Sequence, residues 1–204
     1  MRKSNKKDKD VVSIVNFLFE IGTMRKLLRM HRQALLTDDM SDNIATHSYR
    51  VAIISWFLAK GEGVDVYKTI MMSLLHDVAE IRSNDHNWIH KKYVKIFEDE
   101  ISHEQLGSLP YPDMKQLIEE YNARKSPEAI LAKEADLLDQ ILLLREYEMA
   151  GNMEAKVWLH GKGDVKGSPH MKRIKSKTGK KIGLALFKTS PSEWWSHIWT
   201  TNNR

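Results

Sequence analysis

Cysteine is absent from the 204 residues. That removes disulfide staples and thiolate metal sites, and it fits a reducing compartment. Proline and glycine are sparse, at five and ten, so long stretches contain nothing that stops a helix. No apolar run approaches the roughly 18–20 residues of a membrane span. The start, Met-Arg-Lys-Ser-Asn-Lys-Lys, runs into an apolar stretch at Val11 in the manner of a secretory leader. Asn16 and Glu20 interrupt that stretch, however, and no small-x-small cleavage site follows. Also missing are a Gly-rich phosphate loop, an internal repeat and the period-two alternation of strands. The chain is read as soluble and cytoplasmic, with no membrane contact.

What is present is unevenly charged. The formal net charge is +5, yet residues 11–155 hold 16 basic against 23 acidic side chains. The basicity belongs to the ends, with five Lys/Arg in residues 1–10 and ten in 156–188. A hydrophobic share of 42% is enough for one good core at this length, so one domain is expected.

Residues 1–10 read as a disordered basic terminus. From Val11, the residues Ile14, Val15, Leu18, Ile21, Leu27, Leu28 and Leu35 keep helical spacing. They predict one long helix, bent at Gly22 and ending at Thr37-Asp38-Asp39. Arg25, Arg29 and Arg32 share one side of it, a solvated stripe unless one of them meets an anion. Further helices are predicted over 46–60, stopped by Gly61-Glu62-Gly63, and over 64–75. Residues 81–90 read as irregular, with His86 and His90 exposed in a loop. Helical patterning returns over 91–106 and 113–124. Ser126-Pro127-Glu128 then opens a helix over 127–150, with Ser as N-cap and Pro in the first turn. A short helix with Trp194, Trp195, Ile198 and Trp199 follows late in the chain, its aromatics read as packing. The fold class is all-α, a single-domain helical bundle. Its domain spans 11–204, with a core over 14–155 and a basic, aromatic extension over 156–204.

Chemistry is concentrated in Ser73-Leu74-Leu75-His76-Asp77-Val78-Ala79-Glu80, where an apolar run closes on a His-Asp pair and a glutamate. Such groups are costly to bury unless paired or bound to a metal, and imidazole with carboxylate suits a divalent ion. Upstream, His47 lies in line with Val51, Ile54 and Leu58 on a core face. Alone, it reads more simply as a hydrogen-bonded core histidine. Downstream, Asp136 and Asp139 sit inside the most apolar helix of the chain, and spacing does not choose between them.

The order His47 … His76-Asp77 … Asp136 resembles the HD-domain metal-dependent phosphohydrolases, and more narrowly their 5′-deoxynucleotidase branch. The likeness covers about 14–155. It is carried by Ile44-Ala45-Thr46-His47-Ser48-Tyr49-Arg50-Val51-Ala52, by Leu75-His76-Asp77-Val78-Ala79-Glu80, by Asn84-Asp85, and by Ala132-Lys133-Glu134-Ala135-Asp136-Leu137-Leu138. The resemblance selects Asp136 over Asp139. It implies an HD-domain helical bundle in which His47, His76, Asp77 and Asp136 hold one divalent metal ion (Mn, Co, Fe, Ni or Mg). It further implies Glu80 as the catalytic acid, Asp85 facing the sugar, and Arg32, fifteen residues before His47, on the phosphate. Two positions depart from the family pattern: Thr46 stands where an acidic residue is usual, and Asn84 where glycine is. The implied activity is removal of phosphate from (deoxy)ribonucleoside 5′-monophosphates, with a small-molecule nucleotide as partner and a homodimer compatible with the pattern.

Two other classes compete. One is an HD phosphohydrolase acting on a nucleoside triphosphate or cyclic nucleotide, for which the acidic middle offers few cations. The other is a non-catalytic nucleic-acid-binding protein using the basic residues 156–188. That stretch lacks a reading motif and is better taken as solvated surface.

Overall fold

The computed structural model describes residues 6–161 and 168–198. Among them, helices run in the order α1 (Lys6–Ile21), a 3-10 turn (Gly22–Lys26), α2 (His31–Leu35), α3 (Ile44–Glu62), α4 (Val66–Leu75), α5 (Glu80–Ser83), α6 (Trp88–Tyr93), α7 (Glu98–Leu106), α8 (Asp113–Ala123), α9 (Pro127–Met149), α10 (Met153–His160), α11 (Pro169–Arg173), α12 (Lys177–Leu186) and a closing 3-10 turn (Glu193–Trp195). The described residues contain no strand, only an isolated bridge from Leu28 to Asn43. The chain is all-α.

Local signals set the ends of the helices that matter most. Asn43 and Thr46 form a capping box that starts α3: Asn43 Oδ1 accepts from Thr46 N–H, and Thr46 Oγ1 accepts from Asn43 N–H. Gly63 ends that helix at φ 73, a left-handed conformation that glycine adopts without penalty. Asp65 caps α4, and Ser126 with Pro127 opens α9. Val51, Ile54 and Leu58 of α3 pack on Leu131, Ala135, Leu138 and Ile141 of α9. Met72 of α4 packs on Ala129 and Ala132, also from α9. A second cluster joins Leu75 and Val78 to Phe17, Ile44, Leu106 and Ile118. Each fully buried Leu or Ile stabilises the fold by about 1.5–3 kcal/mol. Together they hold α3, the end of α4 and α9 against one another.

The observed elements differ from the sequence expectation in four places. Residues 6–10 are helical, not disordered; residues 1–5 lie outside the described residues. The single long helix expected over 11–37 breaks after Lys26. There Leu27 O accepts from Ile44 N–H and Asp42 O from Arg29 N–H, so the backbone of this stretch bonds across to the start of α3 instead of along a helix. The segment expected as one helix over 91–106 is two, and α6 already begins at Trp88 because Asn87 caps it. Finally, the tryptophan tail forms only a 3-10 turn, with Trp194 and Trp195 exposed; Trp199 lies outside the described residues.

Residues of the expected C-terminal extension enter the main core, since Leu159 and Ile174 belong to the cluster around α9. Glu134 of α9, buried, fastens this segment. It accepts from the N–H groups of Lys175 (2.5 Å) and Ser176 (3.0 Å) and from the Ser176 hydroxyl. These donors lead into α12, so the carboxylate also lies near that helix's positive end. The approach leaves no room at Gly179. A Cβ there would stand 2.6 Å from Ser176 Oγ, 2.8 Å from Glu134 Oε2 and 2.8 Å from Ile174 Cγ2. Gly179→Ala improves helix propensity by about 1 kcal/mol, but it should lower stability by roughly 1–3 kcal/mol because the displaced groups are fixed. A urea titration of both proteins checks the sign.

Candidate metal centre

Three segments deliver the site. His47 comes from the first turn of α3 and His76 from the C-cap of α4, with Asp77 directly after it; Asp136 and Asp139 lie one turn apart on α9. His47 Nε2 is 3.2 Å from His76 Nε2, 3.4 Å from Asp77 Oδ2 and 3.4 Å from Asp136 Oδ1. Asp77 Oδ2 is 3.1 Å from His76 Nε2. His47, His76 and Asp136 each offer a ligand atom within 4.8 Å of the others, and Asp77 stands beside both imidazoles.

The outer nitrogens fix the roles of the inner ones. His47 Nδ1 meets Asp139 Oδ2 at 2.6 Å, and His76 Nδ1 meets Ser73 O at 2.7 Å. Both partners are acceptors, so each Nδ1 carries the proton and donates it. In the neutral rings, both Nε2 atoms then present lone pairs to one point, which a bound cation satisfies. The donor set therefore fits a divalent ion with two imidazoles and two carboxylates, and the acceptors behind the rings are of the kind that orients metal-binding histidines. The field agrees. Burial and the charge of Arg29 work against a proton on His47, yet bonds to Asp136, Asp139 and Asp77 outweigh them and raise its pKa to about 10. Asp77 and Asp136 resist burial and stay ionised well below the usual carboxylate range. His76 and His47 hold Asp77 down; Lys133 and His47 hold Asp136 down.

The structure separates the two aspartates that spacing left open. Asp136 faces the centre, whereas Asp139 takes the far side of His47 and the Arg50 guanidinium. Thr46, the departure just before His47, is occupied in capping α3. The orienting carboxylate for His47 comes instead from Asp139, which sequence reasoning had no means of assigning.

A cavity of about 270 Å³ opens beside the centre, with Asp77, Asp136, Glu80, Asp85 and Arg29 in its wall. Glu80 is drawn well above the ordinary carboxylate range by burial and then by the charges of Asp77 and Asp85, and its Oε2 has no hydrogen-bond partner. Asp85, 5% exposed, accepts from Met30 N–H at 2.6 Å and lies 3.8 Å from Arg29 Nε. Arg29 is 6% exposed; its Nη2 donates to His31 Nε2 at 2.8 Å, while Nε and Nη1 are without hydrogen-bond partners. Arg32 does not line this cavity. Its guanidinium turns to Asp38 at 3.8 Å and to Met40 Sδ at 3.2 Å. The reason is the break after Lys26, which leaves Arg29 in the segment bonded across to α3 and starts a new short helix carrying Arg32 outward. Of the three arginines in the stripe, Arg29 is the one that lines the cavity. His86 also lines the cavity, half-buried against His90 at 5.5 Å between ring centroids, so neither is the exposed loop residue expected. Neither belongs to the ligand group among the described residues. Asn87, Trp88, Lys91, Lys133, Gln140, Trp158 and Arg173 also line the cavity and were missed. Arg173 shows that the basic segment is not all solvated surface.

His47→Ala, His76→Ala and Asp136→Ala should each lose bound metal. Asp139→Asn should retain it with affinity reduced roughly 10–100-fold, the usual effect of altering a group behind a ligand. Metal content after dialysis against graded chelator checks both; loss of the ion from Asp139→Asn at the lowest chelator would make Asp139 a ligand.

Comparison with known proteins follows the same lines. Residues 24–176 match the HD domain family. A 5′-deoxynucleotidase of Dictyostelium discoideum is 29% identical over 153 residues, covering 68% of this chain and 80% of that protein. A human 5′-deoxynucleotidase is 28% identical over 145 residues, covering 67% and 69%. Among solved structures, a protein of Magnetospirillum magnetotacticum titled a predicted metal-dependent phosphohydrolase superposes with TM-score 0.68 at 26% identity, over 91% of this chain and 95% of the other. With the family's domain matched over well more than half of its length, the chain belongs to the HD domain family.

Proposed function

We propose that the protein is a metal-dependent phosphohydrolase that releases phosphate from nucleoside 5′-monophosphates, deoxyribonucleotides included. One observation carries the reading: a set of two imidazoles and two carboxylates shares its cavity with a buried arginine that has unpartnered nitrogens and with a buried, neutral carboxyl group. The 5′-deoxynucleotidase relatives support the substrate class.

His47, His76, Asp77 and Asp136 would hold one divalent ion, which when bound lowers the pKa of water and draws charge from a phosphoryl oxygen. Two imidazoles favour Mn, Co, Fe or Ni over Mg. The remaining work belongs to the chain. Arg29, held by His31 and Asp85, offers Nε and Nη1 to the phosphate in a site shielded from water, where such bonds are strong. Asp85 commits one oxygen to Met30 N–H, and its other oxygen is the acceptor for a sugar hydroxyl. Glu80, protonated because burial and two neighbouring aspartates disfavour its charge, gives a proton to the departing 5′-oxygen.

Arg29→Ala should raise KM for a nucleoside monophosphate by roughly 10–100-fold, the cost of losing a charge-assisted contact, whereas Arg32→Ala should change it less than about twofold, as expected of an exposed pair. Steady-state kinetics on the two variants separate the arginines, and the reverse order would return the phosphate site to Arg32.

For Glu80→Gln, bound metal should be retained while kcat falls by about 10²–10⁴, the range for a general acid. The acid must be protonated, so activity is lost as pH rises through the elevated pKa, and the Gln variant should lack that alkaline limb. Its rate loss should shrink on p-nitrophenyl phosphate, whose leaving group needs no proton. An equal loss on both substrates would remove Glu80 as the acid.

A further inference from the structure

The cavity wall includes side chains that the phosphate chemistry does not use. Beyond Arg29 the wall passes to His31, whose ring meets Trp158 edge-on at 5.4 Å, and from there to Trp88, 4.6 Å from Trp158 at 67°. Trp88 begins α6 with 52% of its surface exposed, an indole held at the rim of a polar cavity and not packed into a core. On α9, Gln140 follows Asp136 by one turn, which places it about 5.4–6 Å further along the same helix face. Its Oε1 is 3.0 Å from His170 Nε2. His170 is buried and stays neutral, its pKa lowered to about 4 by burial and then by Arg173. With Nε2–H donating to Oε1, His170 fixes the amide so that its NH₂ group is the part left for a ligand. Arg173, at the cavity mouth, adds only donors.

Two indoles and a donor edge, one helical turn from a metal ligand, suit a flat heterocycle with carbonyl acceptors on its rim. Resting on the nucleotidase reading above, we propose that Trp88 and Trp158 form a stacking wall for the substrate's nucleobase, and that Gln140 and Arg173 read its edge, favouring the keto bases guanine and thymine over adenine. Stacking on an aromatic side chain tolerates any base, so binding strength would come from the indoles and choice from the donors. Arginine paired with the O6 and N7 acceptors of guanine is a familiar arrangement. Adenine turns an amino donor toward the same groups, leaving two donors face to face.

The test uses the metal-loaded full chain with dGMP, dTMP, dAMP and 2-deoxyribose 5-phosphate, which has the sugar and phosphate but no base. Wild-type kcat/KM should fall in the order dGMP or dTMP, then dAMP, then the sugar phosphate. Trp88→Ala should raise KM about tenfold for all three nucleotides, leave kcat within about twofold, and leave the sugar phosphate unchanged; Trp88→Phe should restore most of the loss. Gln140→Leu should flatten the preference between dGMP and dAMP without changing the sugar phosphate. An unchanged nucleotide KM in Trp88→Ala, or an equal rise for the sugar phosphate, overturns the stacking wall. A wild-type preference for dAMP overturns the donor reading. Hydrolysis of p-nitrophenyl phosphate with no turnover of any nucleotide overturns the nucleotidase reading itself, and with it this inference.

Discussion

The bond between His47 and Asp139 is the constraint on which the site depends. It joins α3 and α9, which pack on one another in the main core, through Asp139, a residue 2% exposed. A buried carboxylate costs several kcal/mol in lost hydration, and only specific partners offset that cost. Here His47 Nδ1 takes one oxygen and the Arg50 guanidinium the other. The result goes beyond stability. With Nδ1 committed, Nε2 is the atom turned toward His76, Asp77 and Asp136, and the packing of Val51, Ile54 and Leu58 on Leu138 and Ile141 sets how far it reaches. Core packing and ligand geometry are therefore one property of this protein.

The part of the site that lies within long, capped helices was legible in the sequence. Helical periodicity placed His47 on a core face and His76-Asp77 at a helix end, and the family resemblance, not spacing, chose Asp136; each lies on or at the end of a regular element. Arg29 was not legible. Helical spacing put Arg25, Arg29 and Arg32 in one stripe, and the pairing of Leu27 and Arg29 with the backbone of residues 42–44 dissolves that stripe. Such a pairing joins residues whose side chains carry no trace of it. Asp139 was hidden for another reason: its partner is the outer nitrogen of a ligand 92 positions away, and only the folded helix pair shows which side of the imidazole each aspartate meets. Arg173 was absorbed into the reading of residues 156–188 as basic surface, and Trp158 and Gln140 drew no reading of their own.

The loop after Glu80 shows how a departure from the family pattern is accommodated. Asn84 occupies φ 68, ψ 160, a region almost confined to glycine, the residue that the family resemblance implies here. Its side-chain oxygen accepts from Asp85 N–H, and Asn87 then donates to Met30 O while capping α6. Strain of about 1–3 kcal/mol at one residue is thus surrounded by hydrogen bonds that bind this loop to the segment carrying Arg29. Arg29 and Asp85 are positioned by the same short stretch of backbone, so neither is an independent feature.

The charges of the cavity explain why Glu80 stays neutral while Asp77 and Asp136 ionise. Asp77 and Asp136 have histidines against them, and Asp136 also has Lys133. Asp85 has Met30 N–H and Arg29. Glu80 Oε2 is buried without a hydrogen-bond partner, and Asp77 and Asp85 add their repulsion to its desolvation. The opposite balance holds at His47, where carboxylates on both sides of the ring retain a proton to about pH 10. A centre arranged in this way exchanges a proton for a cation, since ligation requires the neutral imidazole. The retained protons on His47 and Glu80 have related causes: carboxylates stand on both sides of the His47 ring, and Asp77 and Asp85 repel a charge on Glu80, whose Oε2 is buried without a partner.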